Sequence, residues 1–183
     1  MKSQDHVALL RGINVGGKNR IPMADLRESF TEHGLDQVAT YIASGNVLFA
    51  SKKERATLER EIETMLEDRF GISIVTVVRS HGELRDVVGK APTGFGGDDH
   101  HSDIIFLKDP LTPADAMGVV ELREGVDQAW LGKGVIYFAR LSARRTQSKM
   151  SKIVGTPEYQ KMTIRSWSTT TKLLGLLDER AAR

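Results

Sequence analysis

Three glycines, two asparagines and three basic residues are concentrated in the ten-residue segment from Arg11 to Arg20. Glycine and asparagine allow the backbone to turn several N–H groups, here those from Asn14 to Lys18, toward one place, and basic side chains add positive charge. Such a loop suits an anion. Gly12, Gly17 and Lys18 also match a phosphate-binding GxxxxGK loop, but Asn19 stands where a hydroxyl would hold magnesium. We therefore expect anion binding without nucleotide hydrolysis, with an ordinary structural turn as the alternative.

Positive charge is also concentrated between Arg140 and Lys172, where eight basic residues face one acid, Glu158, in a chain whose net charge is +2. Hydroxyl and basic side chains alternate at two predicted helix starts in this block, where exposed N–H groups favour anions. Trp167 could stack on a ring. The alternatives are a solvated charged face and a Trp167 that ends a core strand before a helix capped by Ser168 or Thr169.

No metal ligands or catalytic residues can be assigned from the sequence. The cluster Asp98 to Asp103 is the only group of candidate ligands, but adjacent residues rarely converge on one ion, so we expect an acidic linker, no metal and no cofactor. The chain has no cysteine, which excludes disulfides, thiolate metal sites and a cysteine nucleophile. None of the five histidines lies in a glycine-rich or hydroxyl-rich motif, so the catalytic residues are unknown and enzymatic activity stays open.

The elements that position these motifs form a pattern that seems to repeat. Apolar periodicity and turn residues predict the order βαββαβ in the first half: His6–Arg11, Pro22–Gly34, Val38–Ala43, Val47–Ala50, Glu54–Phe70 and Ile72–Arg79. On the last helix of this set, Glu59, Glu61 and Glu63 are predicted to face water. A short helix from about His81 to Lys90 then leads to a glycine-rich linker at Pro92–Asp99.

The second half shows the same order of elements with weaker strands. The expected elements are Asp103–Leu107, Pro113–Val120, Ala129–Leu131, Val135–Leu141, a helix from about Ser148, Thr163–Trp167 and a final helix at Thr169–Arg180. We therefore predict an α+β protein of two ferredoxin-like subdomains with antiparallel sheets, residues 1–90 and 100–183, plus a C-terminal helix.

The composition is that of a globular protein, with 40% apolar and 27% charged residues. The N-terminus enters a run of only four apolar residues, too short for a signal peptide or a membrane span. We expect a cytoplasmic protein that does not associate with a membrane. Its oligomeric state is unknown.

The chain resembles the bacterial domain-of-unknown-function family 1697. Three stretches carry the resemblance, Val7–Asn19, Ser44–Val47 and Thr163–Thr169. The likeness extends over almost the whole chain, and the first stretch is highly specific. It implies a pair of ferredoxin-like subdomains but no activity or substrate. In the third stretch the family has asparagines where this chain has Ser166 and Ser168, so a ligand bound by those amides would be held differently here.

We interpret the chain as an uncharacterised protein that binds a small anionic or nucleotide-like ligand between its two subdomains, in one electropositive cleft. The expected ligand-binding residues are Arg11, Asn14, Gly16, Gly17, Lys18, Asn19, Ser44, Asn46, Arg144, Lys149, Arg165, Trp167 and Thr169. A nucleic-acid-binding protein is a less favoured alternative, because the central strands carry aromatics without the basic-aromatic motif of RNA-binding sheets. An enzyme of unknown reaction is the other alternative.

Overall fold

The computed structural model describes residues 2–183 and divides into two compact units. The first unit contains the chain up to Arg85 together with Leu173–Arg183, and the second contains Asp86–Lys172. The last eleven residues, which the sequence analysis grouped with the second half, thus belong with the first unit. Within residues 2–183, no helix combines the length and the apolar character that crossing a lipid bilayer requires.

The first unit has the predicted order βαββαβ. Its elements are β1 (Gln4–Leu10), α1 (Met23–Glu32), β2 (Asp36–Tyr41), β3 (Asn46–Ser51), α2 (Arg55–Phe70) and β4 (Thr76–Ser80), followed by α3 (His81–Gly89). All strand pairs are antiparallel, in the order β2-β3-β1-β4. Strand β1 is therefore central, which places the glycine-rich loop at the end of a buried strand.

Apolar side chains of α1 and α2 pack on one face of this sheet. Leu58, Ile62 and Leu66 recur at helical spacing on α2 and are buried in one cluster with Leu26 and Phe30 of α1. The same cluster contains Ala8, Leu10, Val47, Phe49 and Val78 from the strands. Helix α2 therefore lies against the sheet along its whole length.

Glu59 departs from the predicted polar face of α2. It is only 4% exposed, and its carboxylate accepts the backbone N–H of Val78 at 2.9 Å. Glu63, one turn further along, accepts the N–H of Thr76 at 2.9 Å. The prediction that Glu59 faces water was wrong, because α2 lies beside the edge strand β4, whose outward N–H groups need acceptors.

The second unit repeats the strand arrangement of the first. Its elements are β5 (His100–Leu107), α4 (Pro113–Met117), β6 (Asp127–Gly132), β7 (Val135–Leu141), β8 (Met162–Ser166) and the start of α5 (Trp167–Ala181). The strands are antiparallel in the order β6-β7-β5-β8. The two sheets and the C-terminal helix confirm the predicted fold class.

The helix predicted from about Ser148 is not an α-helix. Three 3-10 turns occupy this part of the chain, at Ser142–Gln147, Met150–Gly155 and Pro157–Lys161. Gly155 and Pro157 disfavour a continuous helix. In addition, the Ser148 hydroxyl accepts the N–H of Met150 and the Thr156 hydroxyl donates to Ile153, so side chains compete for backbone groups.

The segment predicted as a linker is packed into the second unit. Phe95 contacts Trp130, Tyr137 and Trp167 edge-on, with ring centroids 5.2 to 6.0 Å apart. The Tyr137 hydroxyl donates to the carbonyl of Val87 at 2.6 Å. These side chains are therefore engaged with one another and are not a free surface on which bases could stack.

Candidate anion-binding site

Two asparagine side chains form hydrogen bonds that hold the glycine-rich loop of the first unit in one conformation. Asn14 donates from Nδ2 to the carbonyls of Ile21 and Ala43, both at 2.9 Å, and its Oδ1 accepts the N–H of Ile21 at 2.8 Å. Asn19 donates from Nδ2 to the carbonyl of Gly12 at 3.0 Å. These bonds close the loop on itself, so its conformation is set before any ligand arrives.

The loop backbone has the left-handed conformations that its composition predicts. Positive φ angles, between 50° and 76°, occur at Gly12, Asn14, Gly16, Gly17 and Asn19. Two of the N–H groups expected to bind an anion are already used, since Asn14 donates to the Asn19 carbonyl and Lys18 to that of Val15. Val15 and Lys18 form an isolated antiparallel bridge, which engages the N–H of Val15 as well, so the loop can offer the N–H groups of Gly16 and Gly17, beside the exposed side chains of Lys18 and Arg20.

The turn between β2 and β3 lies against this loop. The bond from Asn14 to Ala43 joins the two, and the Leu10 N–H donates to the Gly45 carbonyl at 2.9 Å. A Cβ on Gly45 would lie 2.8 Å from the side chain of Ile13, so only glycine fits this approach. We call the loop Gly12–Ile21 and the turn Tyr41–Asn46 together the glycine platform.

The glycine platform brings together the expected site residues of the first unit. Asn46 is buried and donates to the carbonyl of Tyr41 and to the hydroxyl of Ser44, which shapes the turn. Arg11 is half-buried where β1 enters the loop, and its N–H donates to the Val75 carbonyl. The side chains of Asn14, Asn19 and Asn46 are thus used in hydrogen bonds within the platform, which leaves Gly16, Gly17 and Lys18 as its exposed part.

Ile42 is a feature of the glycine platform that the sequence did not indicate. Its φ is 49°, which is rare for a β-branched residue and stores strain. Its side chain is nevertheless 48% exposed, so burial does not compensate. Propensity assigns isoleucine to a strand, and only the fixed bond from Asn14 to the next carbonyl explains the turn.

The expected site residues of the second unit lie in two separate places. Arg144 and Lys149 flank the loop before β6, where Lys149 pairs with Glu121 at 3.6 Å and donates its N–H to Asp127 at 2.9 Å. Arg144 is exposed and donates to Gln147. Neither side chain contacts Arg165, which lies on the edge strand β8.

Arg165 is a buried structural residue of the second unit. Its register places it beside Ile104 on the sheet face that also carries Tyr137 and Trp130. It is 8% exposed and donates to the Thr163 hydroxyl at 3.0 Å and to the Ile164 carbonyl at 2.9 Å. Burial lowers the pKa of Arg165 to about 10, because the charged form loses hydration.

Trp167 and Thr169 begin helix α5. The hydroxyl of Ser166 accepts the N–H of Thr169 at 3.2 Å, so Ser166 is the N-cap, rather than Ser168 or Thr169. Trp167 starts the helix and does not end the strand, and its indole lies against Gly96. Both residues have structural partners in the second unit.

Within residues 2–183, no three histidine, aspartate or glutamate side chains are grouped so that they could hold a metal ion. His100 and His101 belong to strand β5, and they pair with Asp99 and Asp103 respectively. Burial raises the pKa of Asp103, while His101 and Arg140 oppose this effect. The acidic segment therefore consists of local ion pairs.

Comparisons with known proteins agree with the fold. The family model "Protein of unknown function (DUF1697)" matches residues 3–137. Among solved structures, the chain is similar to the conserved bacterial protein SP0830 from Streptococcus pneumoniae, with 26% identity and a TM-score of 0.84, over 96% of this chain and 99% of that one. No curated protein matches. Because the family model covers well over half of the residues, the chain belongs to the DUF1697 family of proteins of unknown function.

Proposed function

We propose that the protein binds a small anionic ligand on the glycine platform of its first unit. The N–H groups of Gly16 and Gly17 would contact the anion, and the Lys18 and Arg20 side chains would supply charge. Oriented N–H groups in a turn are a recurrent means of holding phosphate or carboxylate. Anion binding needs no metal here, since the loop lacks the hydroxyl that completes a magnesium site.

This proposal rests on the hydrogen bonds by which the side chains of Asn14 and Asn19 fix the conformation of the loop. All three strong hydrogen bonds of Asn14 go to backbone groups, and one of them joins the loop to a turn 29 residues away. Ordering a flexible loop on binding costs free energy, so a loop that is already ordered keeps more of its contact energy as affinity.

A titration with inorganic phosphate, followed by the amide NMR resonances of Gly16 and Gly17, tests this proposal because it reports on the glycine platform alone. We expect a metal-independent dissociation constant on the order of 1 mM that weakens as salt is added. Lys18→Ala should weaken binding by about threefold to tenfold, through loss of one exposed charge. Lys152→Ala, which removes an exposed lysine from the second unit, is the matched control and should change nothing. Equal affinities in wild type and Lys18→Ala, or turnover of ATP that requires magnesium, would overturn the proposal.

A further inference from the structure

A second cavity of the first unit lies at the opposite end of strand β1 from the glycine platform. It has a volume of about 270 Å³. Its lining includes Lys2, His6, Ser51, Lys52, Arg55 and Ser80, and we call the cavity the His6 pocket. Register places Gln4 of β1 opposite Ser51 and His6 opposite Ser80, whereas Leu9 lies opposite Asn46 of the glycine platform. The two sites therefore share a strand but not a surface.

His6 is the unusual residue of this pocket. It is 4% exposed, and its ring stacks on Phe49 with centroids 5.6 Å apart. Neither ring nitrogen forms a hydrogen bond of good geometry among the described residues, although the backbone of Ser51 lies near enough to the ring to favour its charged form. Buried polar atoms are nearly always hydrogen-bonded, and leaving one unpaired costs about 1–3 kcal/mol. An imidazole that lines a cavity without a well-formed hydrogen bond therefore points to a bound group in that cavity.

The surroundings of His6 supply further donors. Helix α2, 16 residues long, begins at Arg55 without a side-chain cap, so its first N–H groups are oriented toward the pocket end of the helix. The hydroxyl of Ser51 accepts the N–H of Lys53, and that of Ser80 accepts the N–H of Glu83. Each hydroxyl has thus used an acceptor position and keeps its own hydrogen to donate.

The balance of charge in the pocket favours an anion. Arg55 is paired with Glu83 at 2.9 Å and Lys53 with Glu61 at 2.5 Å, so these ions already neutralise one another. Lys2 and Lys52 are exposed and form no ion pair with the described part of the chain. The exposed carboxylate of Glu54 opposes an anion, but it stands alone against these two ammonium groups.

We propose that the His6 pocket binds the phosphate group of a small phosphorylated molecule. The donors around it are two ammonium groups, two hydroxyls, one imidazole N–H and the α2 terminus. A carboxylate has two oxygens, whereas a phosphate offers three or four and can accept from all of these directions. The cavity is roughly nine times the volume that one water occupies in the liquid, so there is room for an organic part beside the phosphate.

Binding of a phosphate dianion should be visible in the titration of His6. In the free protein, burial lowers the pKa of His6, while the backbone of Ser51 and the carboxylates of Glu83 and Asp5 act in the opposite direction. Lys52, Lys53 and Arg55 also line the pocket and favour the neutral ring. An added dianion favours the imidazolium, so the pKa of His6 should rise on binding.

The test is an NMR titration of the His6 ring in the full-length protein, with inorganic phosphate and glycerol 3-phosphate as probes and chloride at matched ionic strength as the blank. We expect a saturable shift of the ring resonances with at least one phosphate probe and none with chloride. The double variant Lys2→Ala/Lys52→Ala should weaken this response by about tenfold. Both lysines are exposed, so the variant should fold normally.

Lys18→Ala is the matched control, because it removes a charge from the glycine platform and leaves the His6 pocket intact. It should not alter the response of His6. The proposal is overturned if His6 does not respond to either phosphate probe, if chloride gives the same shift, or if the double variant responds like wild type. Loss of the response in Lys18→Ala would also overturn it, since a single site at the platform would then explain both results.

Discussion

Asn14 and His6 are two polar residues of the same unit with opposite hydrogen-bonding states. Asn14 pairs both of its amide hydrogens and its oxygen with backbone groups, and so it shapes the glycine platform. His6 is more deeply buried, yet neither of its ring nitrogens forms a hydrogen bond of good geometry among the described residues. A satisfied amide contributes to stability, whereas a poorly satisfied buried imidazole lowers it.

The free energy of unfolding should depend on the protonation of His6. Burial holds the pKa of the folded histidine below its ordinary value of 6.5, so the unfolded chain takes up a proton that the folded chain resists. The contribution of neutral His6 to the free energy of unfolding is fully present above pH 6.5 and is lost as the pH falls below that value. In phosphate-free buffer, the free energy of unfolding of His6→Leu should depend less on pH than that of the wild type, by up to about 1.4 kcal/mol per pH unit. Urea unfolding between pH 7.5 and 5.5 measures it, and identical slopes would contradict the assignment.

At the scale of elements, three carboxylates protect the open edge of strand β4. Its outward N–H groups at Thr76, Val78 and Ser80 are accepted by Glu63, Glu59 and Glu83 in turn. An edge strand with free N–H groups can pair with another chain, so these acceptors block aggregation as well as stabilise the strand. The acceptors come from α2 and α3, which ties both helices to β4.

Removal of the buried carboxylate should measure what this protection contributes. Glu59→Ala leaves the N–H of Val78 buried without an acceptor and should lower the free energy of unfolding by about 1–3 kcal/mol. Glu67→Ala, at an exposed position of the same helix, should change it by less than about 0.5 kcal/mol. Urea denaturation of both variants is the measurement. Equal stabilities would show that the edge N–H groups are satisfied in another way.

The approach of Gly96 to Trp167 offers a test of packing in the second unit. A Cβ on Gly96 would lie 2.3 Å from the indole Nε1, and φ is 83°. Gly94 has a φ of 82° with no neighbouring atom within 4 Å of such a Cβ. Gly94→Ala therefore reports the backbone cost alone, about 1–2 kcal/mol, while Gly96→Ala should cost about 1–3 kcal/mol more and shift the tryptophan fluorescence. Similar losses in both variants would contradict the close contact.

At the scale of the whole molecule, apolar periodicity located nearly every strand and helix because packing on a sheet imposes that periodicity. The two exceptions have different causes, one local and one distant in sequence. Glycine, proline and hydroxyl side chains divide the segment from Ser142 to Lys161 into 3-10 turns. The burial of Glu59 depends on a strand 19 residues away, and helical spacing alone gives no sign of it.

The candidate site was only partly predictable, because some of its hydrogen bonds join residues that are distant in the sequence. Glycine and asparagine content located the loop, since few other residues adopt its left-handed angles. Which N–H groups the loop retains depends on the bonds of Asn14 and Asn19, which the sequence does not show. Ile42 and His6 both occur in sequence contexts typical of β-strands. Only the folded chain shows that Ile42 has a strained positive φ and that the ring nitrogens of His6 lack well-formed hydrogen bonds.

The central claim is that the glycine platform binds a small anion through its own backbone, and amide NMR tests it most directly. Phosphate added to the ¹⁵N-labelled protein should shift the N–H resonances of Gly16 and Gly17 along one saturable curve, with or without magnesium. Lys18→Ala should move this curve to about threefold to tenfold higher phosphate. If these two resonances stay in place at phosphate concentrations well above the millimolar range, the glycine platform is a structural turn and the claim is wrong.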